Sequence, residues 1–123
     1  MDPRLTTAIE LFNRREYFDC QELFEQAWHD SEGTDKRLLE SLMQLSVALH
    51  LFFNRGGGKG TTSLLQRCLI GLDEYQSPYL DIDLESLAAE VGVYLDDIKA
   101  SDARAPRLFE RWRVPKIRLV PAA

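Results

Sequence analysis

Glu22, Glu25 and His29 recur at i, i+3 and i+7 behind Phe18, a spacing that sets two carboxylates and an imidazole along one face of a helix. Such a face could ligate a divalent metal or move a proton. The adjoining stripe, Tyr17, Gln21, Phe24 and Trp28, is mostly aromatic, so the polar residues border a core face. Glu40, Gln44 and His50 come from the next helix, the most apolar of the chain, where a buried polar group without a partner costs about 1–3 kcal/mol. Gln21, Glu22, Glu25, Trp28, Glu40, Gln44 and His50 therefore form the candidate pocket. A metal has weak candidates in Glu22, Glu25 and His29. Against that stands chemistry of the bundle type, because a di-iron site needs Glu-x-x-His from two helices and neither helix has one. Polar residues at this spacing are more commonly a solvated face, and we expect no cofactor.

The elements that must position these residues are all helical. Asp2 before Pro3 starts the first helix, since the carboxylate accepts from free backbone N–H groups and proline is tolerated in the first turn. Leu5, Ala8, Ile9 and Phe12 form its apolar face, and it ends near Asn13 to Arg15. The second helix spans about Glu16 to Asp30. Gly33 stops the chain, with Thr34 or Asp35 expected to cap a third helix from Lys36 to Phe53, striped by Leu38, Leu42, Leu45, Leu49 and Phe52. Tyr17, Phe24, Trp28, Leu42, Leu45 and Leu49 are expected to be buried. A fourth helix is expected from Thr62 to Tyr75, stopped by Gln76-Ser77-Pro78, and a fifth, capped by Asp81 or Asp83, to Lys99.

Asn54 to Thr62, with its glycines and Lys59, invites comparison with a phosphate loop. It follows a helix instead of a strand and lacks Lys-Ser/Thr at the helix start, so we read it as a connection. An anion at the next helix N-terminus, near Lys59 and Arg55, is the lesser alternative. The tail carries Arg107, Arg111, Arg113, Lys116 and Arg118 among Phe109 and Trp112, a pattern that suits nucleic acid or, more commonly, packing on the acidic body. The formal charge of -5 repels phosphate and disfavours the first.

A chain of 123 residues, 45% hydrophobic and 28% charged, suits one soluble domain. We divide it into a bundle at 1–104 and an extended tail at 105–123 packed on it. Cys20 and Cys68 stand alone among helical residues and read as small core hydrophobes in a reducing compartment. No targeting or membrane-spanning pattern is visible, and the expected location is cytoplasmic.

Phe12-Asn13, Glu16-Tyr17-Phe18, Glu22, Glu25, Trp28, Gln44-Leu45 and Val47-Ala48 resemble the small all-helical family catalogued as domain of unknown function 309, over roughly residues 5–75. The resemblance implies a helical bundle and no established activity. Members usually have histidine where Gln21 stands and glycine where Arg15 stands, so a histidine-dependent role does not carry over to Gln21. The segment Phe12–Trp28 also reads like one hairpin of a tetratricopeptide array, without the repeat that would follow. We therefore expect an all-α bundle of about five antiparallel helices with an extended C-terminal tail. Its leading role is protein interaction or homodimerisation, ahead of a metal or small-molecule site; catalysis and nucleic-acid binding are disfavoured.

Overall fold

Asp2 does cap the first helix, its carboxylate accepting from the Arg4 N–H at 2.9 Å. The computed structural model describes residues 2–55, 59–100 and 114–121. Five helices follow in order: α1 (Pro3–Asn13), α2 (Tyr17–His29), α3 (Gly33–Arg55), α4 (Lys59–Leu72) and α5 (Leu84–Ala100). Each packs on the next, with α3 between α2 and α4. The connections are short, so neighbours run antiparallel. Leu38, Leu42, Leu45, Leu49 and Phe52 are all buried, and α3 supplies the middle of the core.

The turn between α1 and α2 is a Schellman motif: Glu16 N–H reaches Leu11 O and Arg15 N–H reaches Phe12 O, both at 2.9 Å. That closure requires a left-handed residue after the helix. Arg15 occupies it at φ 67°. A side chain there costs about 1 kcal/mol relative to glycine.

Several expectations are corrected. The core stripe of α2 is Tyr17, Cys20, Phe24 and Ala27, which turns Gln21 and Trp28 onto a half-buried flank. Trp28 is thus not buried as expected; the Lys36 ammonium lies 4.3 Å from its ring centroid, a cation–π contact that keeps one side of the indole near water. Neither Thr34 nor Asp35 caps α3. The helix begins earlier, at Gly33 with φ 63°, and Thr34 and Asp35 instead bond the Tyr79 hydroxyl. Similarly, α4 begins at Lys59, because Gly60 is admitted to the helix, Thr61 turns into the core and the Thr62 hydroxyl donates back to Lys59 O at 3.2 Å. It ends at Leu72, before the expected Tyr75. Residues 56–58 of the glycine run lie outside the described residues, as do Arg107, Phe109, Arg111, Trp112 and Arg113 of the tail.

Residues 114–120 run back over the ends of α1 and α5. Asn13 holds Ile117 by both backbone groups, donating to its carbonyl and accepting from its N–H at 2.8 Å each. Lys116 Nζ donates to the Asn13 carbonyl at 2.5 Å, occupying an orphan acceptor at the helix end. Val114 and Ile117 are buried.

Asp83 caps α5, accepting from the Ser86 N–H at 3.0 Å and from its hydroxyl at 2.7 Å. Hydrogen bonds from Arg4 hold the Asp2 carboxyl below its ordinary 3.8, and those from Ser86 do the same for Asp83. A carboxyl depressed in the folded state stabilises above its unfolded pKa and ceases to do so as pH falls through the folded one. We therefore expect α1 and α5 to loosen at their N-termini below pH 3.8. Amide exchange at Arg4 and Ser86 measures this; Asp2→Asn and Asp83→Asn should retain a cap but flatten the pH dependence.

Candidate functional site

The residues selected from sequence fall in three places. On α2, Glu22, Glu25 and His29 are exposed. Among the described residues no three His, Cys, Asp or Glu side chains gather as a metal site would require. Gln21 and Trp28 lie half-buried beside them. Glu40 and Gln44 are elsewhere, in a groove between α3 and α4 that also includes Arg37, Arg67, Ile70 and Glu74. His50 stands apart from both, in a pocket at the C-terminal end of α3. The seven residues are therefore not one pocket. Helical spacing reports which residues share a face of one helix, but it does not say where along a neighbouring helix that face ends.

Ser46, another polar residue of α3, is fully buried. Its hydroxyl donates to Leu42 O at 3.0 Å and lies 3.2 Å from Cys20 Sγ. Burial pushes the Cys20 thiol up to about 12, opposed in part by the Ser46 contact. Burial alone lifts Cys68 to about 12. Neither is a nucleophile at neutral pH, because the thiolate is the reactive form.

The α3–α4 groove owes its shape to Gly71. A Cβ at that position would stand 2.0 Å from Ser41 Oγ and 3.2 Å from Ser41 Cβ, so the two helices approach backbone to side chain here. Outside that contact, Ile70 is 68% exposed. Arg67 precedes it by three residues on the same side of α4, and Glu74 follows by four, in the turn just past the helix end at Leu72. On the α3 side the groove is edged by Arg37 and Glu40. Charges of both signs thus surround an exposed aliphatic side chain.

The His50 pocket has about 250 Å³ and is lined by Arg15, Tyr17, His50, Phe53 and Asn54. Asn54 Nδ2 donates to His50 O at 2.8 Å and lies 3.1 Å from His50 Nδ1. With one amide hydrogen on the carbonyl, the other meets Nδ1. The neutral ring therefore carries its proton on Nε2, the nitrogen left to donate. Tyr17 is 4% exposed, stacks on Phe53 at 6.0 Å and 8°, and meets the edge of Phe12 at 5.4 Å. Its hydroxyl is buried with no hydrogen-bond partner. Burial raises the phenol's pKa, and the Arg15 charge pulls it back. Arg15 has no carboxylate within ion-pair distance among the described residues. Sequence reasoning placed Arg15 at the end of the first helix, where the family has glycine, and did not select it, Phe53 or Asn54 as site residues. The available signal was an arginine where the chain geometry favours glycine.

Residues 5–64 match the model of the family described as Domain of unknown function (DUF309). The match takes in nearly all of α1, all of α2 and α3, and the first turns of α4, so the resemblance read from the sequence holds over that span and stops short of residue 75. No curated protein matches the chain. Among the described residues no helix is long and apolar enough to cross a membrane.

Proposed function

We propose, from the DUF309 match over residues 5–64 and the groove that α4 adds to it, that this chain is an interaction module whose partner is a second copy of itself. The observation that carries the reading is the order of Arg67, Ile70 and Glu74 along the groove, from the last turns of α4 into the turn that follows it. Arg67 and Glu74 lie equally far from the midpoint between Ile70 and Gly71. Two copies meeting antiparallel about that midpoint, at the C-terminal end of α4, would bring each Arg67 towards the other copy's Glu74 in the turn after the helix, with the Ile70 side chains at the centre. A patch that complements itself in this way is what a two-fold interface requires. An isolated exposed isoleucine would need no explanation; one framed by matched opposite charges at the lip of a groove does. Each Ile70 removed from water contributes about 1.5–3 kcal/mol. The charges mainly set register and encounter rate. The small apolar centre makes the dimer reversible and concentration-dependent.

Charge reversal tests the register. Arg67→Glu alone, or Glu74→Arg alone, would place like charges opposite each other twice and should weaken self-association at low salt, measured by sedimentation. Combining both restores opposite signs and should return the affinity towards wild type. A double variant as weak as the sum of the singles would refute the antiparallel pairing.

A further inference from the structure

We propose that the pocket formed by Arg15, Tyr17, His50, Phe53 and Asn54 binds a small organic anion, a carboxylate carried on a flat apolar group. The site lies at the α1–α2 turn and the last turns of α3, apart from the α3–α4 groove, and stands independently of self-association.

Three observations converge on the charge of the ligand. The groups available to a ligand are donors, the Arg15 guanidinium and His50 Nε2–H once Asn54 has occupied Nδ1, with the Tyr17 side chain part of the wall. Among the described residues no carboxylate lines the pocket, although the chain as a whole carries -5. Positive charge is also gathered next to it, since Lys116 is held below its ordinary pKa chiefly by burial and then by the charges of Arg15 and Arg118. A guanidinium fork suits the two oxygens of a carboxylate.

The remaining wall sets the rest of the ligand. Phe53 is 39% exposed with one face covered by Tyr17. Phe18, 54% exposed, lies 5.7 Å from the His50 ring at 48°. Aromatic surface next to a cation accepts a flat apolar group, and about 250 Å³ admits a single ring but little more. Backbone geometry fits the same reading. Arg15 is held at φ 67° in a turn that glycine would close at lower cost, and such strain collects where a side chain is put to use.

Benzoate is the probe, titrated into the full chain and followed by NMR at Tyr17, His50 and Phe53. Saturable shifts at these residues are expected, with benzamide, the neutral isostere, weaker by about ten-fold or more, the factor for one charge-assisted hydrogen bond. Arg15→Gly should weaken benzoate by a similar factor while its unfolding midpoint stays level or rises, so loss of binding cannot be put down to loss of fold. Phe53→Ala should weaken benzoate more than acetate. Absence of saturable shifts, equal binding of benzamide, or undiminished binding by Arg15→Gly would overturn the proposal. So would inorganic phosphate binding as tightly as benzoate, because the aromatic wall would then contribute nothing.

Discussion

Phe24→Ala is expected to destabilise the chain by about 3–5 kcal/mol, the range for deleting a buried ring. Phe24 is fully buried at the middle of the α2 core stripe, between Cys20 and Ala27, and it closes the layer where α2 meets α3. A domain of this size has about 5–15 kcal/mol in total, so the variant would sit near the threshold of folding. Urea unfolding should show the midpoint falling with little change in slope. The informative control is Phe18→Ala. Phe18 belongs to the same helix but is 54% exposed, so its loss should cost about 0.5 kcal/mol or less. Equal costs for the two would mean that α2 is rotated from the orientation described.

The second large effect is expected at the α3–α4 crossing. Gly71→Leu should cost about 3 kcal/mol, at the upper end of what overpacking produces. The reason is specific: the first atom added meets Ser41 Oγ at 2.0 Å and Ser41 Cβ at 3.2 Å. Rotating the Ser41 hydroxyl away relieves only the first contact. Gly71→Ala gives the sharper comparison, because alanine gains about 1 kcal/mol over glycine in a helix, and any net loss therefore reports the clash. Adding Ser41→Gly to Gly71→Ala should recover stability by more than the two single effects predict. If Gly71→Ala were stabilising by itself, the helices would not approach as closely as described. The same crossing shapes the groove beside Ile70, so Gly71→Leu should also weaken self-association.

The core was legible wherever one helix decided the matter. Leu38 through Phe52 in α3 and Leu84 through Leu95 in α5 follow helical periodicity, and burial follows the periodicity. Caps were legible at Asp2 and, as one of two alternatives with Asp81, at Asp83, where a carboxylate precedes the helix and accepts from its first free N–H groups. At α3 and α4 the starts were misplaced because Tyr79 drew off Thr34 and Asp35 and because Thr62 bonded backwards within its own helix. Such competition depends on residues distant in the chain. Trp28 was misplaced because Lys36 covers one face of it, and periodicity does not distinguish a cation over an indole from a packed core.

The candidate site was legible only in part. His50 and Gln44 stand out in the sequence as polar residues on an apolar helix, and they line different cavities. The α2 row of Glu22, Glu25 and His29 obeys its spacing and faces solvent. Arg15, Phe53 and Asn54 become a site only when the α1–α2 turn is laid against the end of α3. Ile70 drew no attention because an exposed isoleucine is silent in a sequence until its helix face is known.

Self-association through α4 is the central claim, and the mass of the chain in solution tests it most directly. Light scattering over a concentration series should show wild type rising from the 14.1 kDa of one chain towards twice that mass. Ile70→Asp should hold at the mass of one chain with its helical content unchanged. A wild type that stays at one chain's mass up to high concentration, or a dimer that Ile70→Asp leaves intact, would contradict it.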